Sequence, residues 1–213
     1  MNLNKTIEHT LLRPDCTLES VKQLCTEALQ NEFYGVCVPP FFVQDAVRYV
    51  NEVVKVITVI GFPMGYSTIP AKVEEIKRTL DEGADEVDMV VNIAAIKSRN
   101  WNHVRNEIDS TMRAVSMKGK TMKLIIEIGL LTPDEILKVL SIAEENGVHF
   151  IKTSTGINSR GATVEDIVFL RKNMSKRTKI KASGGIKTRE QAEQFLAAGA
   201  DRIGTSNGLE IIK

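Results

Sequence analysis

Residues 149–156 read HFIKTSTG, an apolar start followed by a lysine and a polar turn that ends in glycine. Residues 179–186 repeat this order of strand, lysine and glycine turn as KIKASGGI. Each stretch is typical of a short buried strand that ends in a turn. The lysines of the two strands, Lys152 and Lys181, are unusual there, since fully buried lysine is rare unless it is paired. Two such lysines in one sheet indicate that these strands carry chemistry as well as structure.

Six more strand signals accompany the two lysine strands, and helical patterns separate neighbouring strands. The six are predicted at residues 7–11, 34–38, 54–60, 86–91, 122–128 and 200–205. The helices are predicted at residues 18–30, 42–51, 71–82, 102–117, between 132 and 146, at 163–172 and at 188–198, with a short tail from 206 to 213. The strands are continuous apolar runs, as expected for a parallel sheet that is covered on both faces.

Strict alternation of strand and helix predicts parallel strands with right-handed crossovers. Eight such units favour closure into a (β/α)8 barrel, the TIM barrel of the α/β class. A doubly wound open sheet is the alternative. No GxGxxG motif follows the first strand to support it.

Composition limits the domain count and the kinds of partner. The chain has 213 residues, of which 43% are hydrophobic. We predict a single domain over residues 1–213, because no linker or low-complexity stretch interrupts the chain. The net charge of +1 gives no overall field that would attract nucleic acid or a membrane surface. No apolar run approaches the roughly 18 residues that a bilayer span needs, and the N-terminus lacks the apolar core of a signal peptide.

The cysteines and histidines give no sign of a metal site. The three cysteines, Cys16, Cys25 and Cys37, have no CxxC spacing. This argues against a disulfide framework or a zinc site and favours a reducing cytoplasm. The three histidines have no metal-binding spacing either. We therefore expect no metal.

Alternate side chains of a barrel strand point inward. If the isoleucines that precede the two lysines face the helices, then Lys152 and Lys181 face the barrel interior. The same alternation predicts Asp88 on strand four and Glu127 on strand five as interior residues. Two positive and two negative charges would form a neutral set, which costs less to desolvate than unpaired ions.

A neutral lysine amine can attack a carbonyl to form a carbinolamine and then a Schiff base. Bringing a lysine from a pKa of about 10.4 to about 7 requires roughly 4.6 kcal/mol against its charged form. A second ammonium about 6 Å away contributes ~2.8 kcal/mol at an effective dielectric near 20. Partial burial can supply the remainder, and Asp88 could pass protons through water. The alternative is an interior salt-bridge network without a reaction, since structural networks also perturb pKa values.

The glycine turns indicate a phosphate site. TIM barrels often bind phosphate with the loops after strands seven and eight and the N-terminus of a short extra helix. The turn after strand six can add backbone donors. The candidate phosphate-binding residues are Gly156, Gly184, Gly185, Gly204, Ser206 and Asn207.

Six short motifs contain the two lysines, Asp88 and the candidate glycines. They are IEHTLL at 7–12, IGFP at 60–63, ADEVDMV at 84–90, FIKTSTG at 150–156, KASGG at 181–185 and RIGTS at 202–206. In these motifs, and over nearly its whole length, the chain resembles the deoxyribose-phosphate aldolases, a family of class I (Schiff-base) aldolases. The chain departs from the family pattern at Glu8, where Asp is usual, in the loop 157–161, which is less rich in glycine, and at Asn207, where Ser is common.

The resemblance implies reversible cleavage of 2-deoxy-D-ribose 5-phosphate to acetaldehyde and D-glyceraldehyde 3-phosphate. It implies Lys152 as the Schiff-base lysine, Lys181 as the second lysine that lowers the pKa of Lys152, and Asp88 as the proton relay. It also implies that the enzyme needs neither a metal nor an organic cofactor, acts in deoxyribonucleoside breakdown in the cytoplasm, and forms a homodimer or homotetramer.

Two other functions remain open from the sequence. A phosphosugar isomerase would use the phosphate loops but would not need a lysine on strand six. A barrel that binds a phosphorylated ligand without turnover is also possible, because fold alone does not establish catalysis.

Overall fold

The computed structural model describes residues 2–213, in which eight parallel strands form a closed barrel. The strands follow one another in chain order, and β8 pairs with β1 to complete the circle. The TIM-barrel prediction is therefore confirmed, and the alternative of an open sheet is wrong. The strands are β1 Ile7–Thr10, β2 Gly35–Val38, β3 Lys55–Ile60, β4 Glu86–Val90, β5 Thr121–Ile125, β6 Phe150–Lys152, β7 Lys179–Ser183 and β8 Arg202–Thr205.

Nine α-helices cover the described part of the chain, and most of them surround the barrel. They are α1 Leu18–Gln30, α2 Val43–Val50, α3 Ile69–Asp81, α4 Ile93–Lys97, α5 Trp101–Ser116, α6 Pro133–Glu145, α7 Val164–Asn173, α8 Arg189–Ala197 and α9 Gly208–Ile211. Short 3-10 turns span Leu3–Thr6, Pro40–Phe42 and Ile128–Leu130. None of the helices in residues 2–213 has the length and apolar character that a membrane crossing requires.

Four of the helices begin with a capping box. The hydroxyls of Thr17, Thr132, Thr163 and Thr188 each accept the backbone N–H three residues later, and the side chain at that position bonds back to the N–H of the capping residue. Each cap of this kind contributes about 1 kcal/mol and fixes where the helix starts. For this reason α1 begins at the predicted residue, Leu18.

Two short helices were not predicted. Helix α4 has five residues and is capped at its N-terminus by Asn92, whose side-chain oxygen accepts the N–H of Ala95 at 3.0 Å. Helix α9 lies in the segment that was predicted as a tail. Its Gly208 packs so closely on Phe33 and on His9 of β1 that an added Cβ would lie 2.8 Å from the ring of His9. Both helices are too short to produce a periodic pattern in the sequence.

The barrel has an outer apolar core between strands and helices and a divided interior. On one side of the interior, Cys37, Ile57 and Val59 form a separate apolar cluster. The opposite side is charged, which is unusual for a barrel interior. Its charged residues are Glu8 on β1, Glu86 and Asp88 on β4, Lys123 on β5, Lys152 on β6, Lys181 on β7 and Arg202 on β8.

Strand β5 ends earlier than predicted. It stops at Ile125, and Glu127 has a φ of 51°, in the left-handed region, before the turn Ile128–Leu130. The predicted alternation was right, because Leu124 and Ile126 pack in the outer core and Lys123 faces inward. The prediction that Glu127 joins the interior charges was wrong, because the chain has left the barrel wall at that residue.

Candidate active site

The two lysines and Asp88 come together through the register of neighbouring strands. Lys152 is the last residue of β6 and lies opposite Lys181 on β7. Lys152 also pairs with Ile125 of β5, and Asp88 pairs with Lys123 of the same strand. In a closed parallel barrel this register directs the charged side chains toward one point inside.

Asp88 is the common partner of the two lysines. Its Oδ2 accepts hydrogen bonds from Lys152 Nζ at 2.8 Å and from Lys181 Nζ at 2.7 Å. Because both nitrogens bond to the same oxygen atom, the distance between them is at most the sum of these two hydrogen-bond distances. Asp88 and Lys181 are completely buried, whereas Lys152 is 3% exposed. Of the three side chains, only that of Lys152 lines the cavity above the barrel.

A third lysine, which the sequence analysis missed, completes the set. Lys123 Nζ donates to Asp88 Oδ1 at 3.0 Å, forms an ion pair with Glu86 and lies 3.4 Å from Glu8. Lys123 and Glu127 lie an even number of positions apart, so the alternation that predicted an inward side chain for Glu127 predicts one for Lys123 as well. A lysine inside the apolar run TMKLII was therefore a signal that could have been followed.

Glu8 on β1 forms ion pairs with Lys181 and Arg202. Its carboxylate contacts the ammonium of Lys181, and the guanidinium of Arg202 lies 3.5 Å from it. The charged side of the interior therefore holds three acidic side chains, Glu8, Glu86 and Asp88, and four basic ones, Lys123, Lys152, Lys181 and Arg202. The predicted neutral set of two lysines with Asp88 and Glu127 was wrong both in its members and in its balance.

The electrostatics keep most of the set in its charged form. Burial alone would raise the pKa of Asp88, but Lys123, Lys152 and Lys181 together hold that pKa well below its usual value. Burial alone would lower the pKa of Lys181, but the charges of Asp88 and Glu8 raise it. The pKa of Lys123 is raised by Asp88, Glu8 and Glu86 against the effect of burial. At neutral pH Asp88 is therefore a carboxylate, and Lys123 and Lys181 are ammonium ions.

A cavity of about 620 Å³ lies at the carboxyl ends of the strands, directly above Lys152. Every predicted phosphate-binding residue lines it. These residues are Gly156 after β6, Gly184 and Gly185 after β7, and Gly204, Ser206 and Asn207 at the end of β8. The structure therefore brings the interior lysine and all three loops to one cavity.

Two cationic side chains at this cavity were not predicted. Lys187 follows the glycine turn after β7, and Arg13 follows β1. Arg13 is bound to Asp15, with Nη2 and Oδ2 2.6 Å apart. Among residues 2–213 no carboxylate lies within 4.0 Å of Lys187. Lys187 is therefore the available cation for an anionic group in the cavity.

Other reactive groups are less suited to chemistry here. Cys37 is completely buried in the barrel, and burial raises the pKa of its thiol to about 11. At neutral pH it is an unreactive thiol rather than a thiolate. Within residues 2–213 no group of three or more His, Cys, Asp or Glu side chains is placed to hold a metal ion.

Comparison with known proteins gives the family. The sequence profile of the DeoC/LacD family aldolases matches residues 3–213. This chain belongs to the DeoC/LacD aldolase family. The resemblance that was based on six short motifs is thereby confirmed over almost the entire chain.

Curated relatives and solved structures support this assignment. The deoxyribose-phosphate aldolase of Thermococcus gammatolerans is 44% identical, with 100% of this chain and 96% of the relative covered. That of Clostridioides difficile is 44% identical over 98% of this chain and 94% of the relative. Among solved structures, an aldolase named QR15 has a TM-score of 0.94 and 36% identity, covering 99% of this chain and 94% of that one. The deoxyribose phosphate aldolase of Aeropyrum pernix, described as a unique tetramer, has a TM-score of 0.92 and 29% identity, with 99% and 89% covered.

Proposed function

We propose that this aldolase cleaves 2-deoxy-D-ribose 5-phosphate to acetaldehyde and D-glyceraldehyde 3-phosphate through a Schiff base on Lys152. The observation that carries the proposal is the position of Lys152. Its ammonium lies at the floor of the cavity, 2.8 Å from a carboxylate oxygen that a second, fully buried lysine also contacts. The curated relatives named as deoxyribose-phosphate aldolases support the choice of substrate.

The first step requires Lys152 as a neutral amine. Asp88, 2.8 Å away, takes the proton from Lys152, and the ammonium of Lys181 disfavours a second positive charge next to it. Lys152 Nζ then bonds to C1 of the open-chain sugar, and one proton moves from nitrogen to the former carbonyl oxygen. Asp88 returns the proton that it took, so the oxygen leaves as water and a protonated imine remains.

The second step breaks the bond between C2 and C3. Asp88 accepts the proton of the C3 hydroxyl, directly or through water in the cavity. The electron pair of the C2–C3 bond moves toward the positively charged imine. The result is an enamine on Lys152 and an aldehyde at C3, which leaves as glyceraldehyde 3-phosphate.

The last step returns the enzyme to its starting state. The proton held by Asp88 is transferred to C2 of the enamine, which becomes the imine of acetaldehyde. Water adds to C1, acetaldehyde leaves, and both protons of the water stay on Lys152, which is again an ammonium ion beside the Asp88 carboxylate. Lys181 remains an ammonium ion throughout, in agreement with its raised pKa.

The phosphate of the substrate would lie against the three glycine loops. Gly184 and Gly185 both have left-handed φ values, of 93° and 75°. Successive residues in such conformations can present backbone N–H groups to an anion. Lys187 would add a positive charge at the same cavity. Phosphate binding is proposed for four further residues because they line the same cavity, namely Gly156, Gly204, Ser206 and Asn207.

The proposal includes a cytoplasmic homo-oligomer that needs no metal or organic cofactor. The three cysteines are free, which fits a reducing compartment. The Aeropyrum pernix relative is described as a tetramer, which supports an assembly of two or four copies.

The test is turnover of 2-deoxyribose 5-phosphate by variants of Lys152. Lys152→Arg keeps the positive charge and Lys152→Leu removes it, and neither can form a Schiff base. We expect both to reduce aldol cleavage to the background rate. Lys179→Arg is the matched control, because Lys179 lies on β7 with an exposed side chain and should retain activity. An isomerase or a ligand-binding protein would show no cleavage even in the unmodified chain.

A further inference from the structure

Glu127 is a completely buried carboxylate that the proposed chemistry does not use. Its backbone has a φ of 51°, a conformation that is uncommon for a residue with a side chain. No lysine, arginine or histidine of residues 2–213 forms an ion pair with it. A strained, buried and unpaired acid persists only where its surroundings require it. Its hydrogen bonds show which segment of the chain it positions.

All three side-chain hydrogen bonds to Glu127 come from the loop between β6 and α7. Its Oε2 accepts the N–H of Thr155 at 3.2 Å and the hydroxyl of Thr155 at 2.5 Å. Its Oε1 accepts the hydroxyl of Ser159 at 2.8 Å. One carboxylate therefore fixes two points of this loop, four residues apart.

The fixed threonine in turn shapes the loop. The hydroxyl oxygen of Thr155 accepts the N–H groups of Ile157 at 3.1 Å and Asn158 at 3.2 Å. The side chain of Asn158 donates to the carbonyl of Pro63 at 2.6 Å. Thr155, Gly156 and Ile157 all line the cavity, whereas Glu127 and Ser159 do not. Glu127 thus positions residues of the cavity wall without lining the cavity itself.

The far end of the same loop lies against the glycine turn after β7. The N–H of Ala162 donates to the carbonyl of Ser183 at 3.1 Å. Gly161 approaches so closely that an added Cβ would lie 1.9 Å from the carbonyl oxygen of Gly184. The position of the β6 loop therefore determines the spacing between two of the three candidate phosphate loops.

We propose that Glu127 is a positioning residue for the phosphate end of the substrate. It holds Thr155 and Gly156 at a fixed distance from Gly184, so the loops are ordered before the substrate arrives. Without Glu127, part of the binding free energy of the phosphate would be used to order the loop, so the phosphate would bind more weakly. Lys152 lies on strand β6 and would keep its position. This inference rests on the proposed function and assigns the preference for a phosphorylated substrate to Glu127.

The readout is the ratio of kcat/KM for 2-deoxyribose 5-phosphate to kcat/KM for 2-deoxyribose. Glu127→Asp keeps the buried charge, but its side chain is one methylene shorter and cannot reach both Thr155 and Ser159. We expect this variant to lower the ratio about tenfold, a typical effect of losing a hydrogen bond to a charged group. A purely structural role would lower both values together and leave the ratio unchanged.

Glu127→Gln is the conservative partner of this variant. Its amide oxygen can still accept from Thr155, and its amide nitrogen can donate to Ser159, whose hydroxyl is also within 3.3 Å of the carbonyl of Arg160. We expect a ratio within about twofold of the unmodified chain. If the aspartate variant kept the ratio and the glutamine variant lost it, the buried charge would be the cause and the positioning role would be overturned.

Ser159→Ala tests the same contact without changing the buried acid. It removes one of the two fixed points, so the ratio should fall about two- to threefold. In a double variant with Glu127→Asp, the two effects should not add, because both act through one contact. Additive effects, or an unchanged ratio in Ser159→Ala, would overturn the inference.

Reduction with borohydride in the presence of acetaldehyde separates this inference from the proposed function. Acetaldehyde has no phosphate, so the Glu127 and Ser159 variants should still be trapped at Lys152. If the unmodified chain is not trapped, the proposed function fails. If it is trapped and the ratio does not change in the variants, only the role of Glu127 fails.

Discussion

Replacing Lys123 by Met removes the central cation of the barrel interior at nearly constant length. Lys123 is completely buried, donates to Asp88 at 3.0 Å and pairs with Glu86. Lys123→Met would leave the buried carboxylate of Glu86 without its ion-pair partner and would remove one of the three lysines that contact Asp88. The carboxylate of Glu86 would then be an uncompensated charge inside the barrel.

The expected loss follows from this uncompensated charge. Breaking a buried ion pair by removing one partner costs about 3–5 kcal/mol of unfolding free energy. For a chain of this size, that lowers the Tm by roughly 6–20 °C. Glu86→Gln in the same chain restores the charge balance, and its amide oxygen can still accept the hydroxyl of Tyr34, which lies 2.5 Å from Glu86. The double variant should recover at least about half of the loss.

Reversible urea denaturation at pH 7, followed by circular dichroism, gives the four free energies of this cycle. A loss below about 1 kcal/mol in Lys123→Met would show that the interior charges do not depend on Lys123. A double variant whose loss equals the sum of the single losses would refute the reasoning in a different way. It would mean that Lys123 and Glu86 do not compensate each other.

Three further predictions concern activity and pH. Lys181→Met removes an ammonium whose repulsion of Lys152 is about 3 kcal/mol, so borohydride trapping should be slow at pH 7 and partly recover at pH 9. The lowered pKa of Asp88 means that its contribution to stability is complete above about pH 4 and is lost as the pH falls through that lowered value; a urea midpoint that already drops between pH 7 and pH 5 would contradict this. Lys187→Gln should raise KM for the phosphorylated sugar about tenfold with little change in kcat, whereas Arg189→Gln, an exposed control, should not.

The sequence was sufficient for the barrel and for the central triad of side chains. Lys152, Lys181 and Asp88 were found because strand alternation is a local property with a fixed period of two. The glycine loops were predicted to share one cavity because a TIM barrel places the loops after its last strands together. Neither inference depends on details of packing.

The errors on strand five have a different physical origin. Where β5 ends is set by contacts with β6, since Ile126 N donates to the carbonyl of Lys152 and Ile128 N donates to that of Thr153. No local signal marks the left-handed residue between them, because Glu127 is neither Gly nor Asn. Glu127 was therefore placed among the interior charges. Lys123 was overlooked because its apolar neighbours resemble those of an ordinary core strand.

The most direct test of the proposed mechanism is to trap the Schiff base. The protein is incubated with 2-deoxyribose 5-phosphate, reduced with borohydride, digested and analysed by mass spectrometry. We predict one modified residue, Lys152. Modification of Lys181 alone would mean that the roles of the two lysines are reversed. Folded protein that binds the sugar phosphate and carries no adduct would contradict the Schiff-base mechanism.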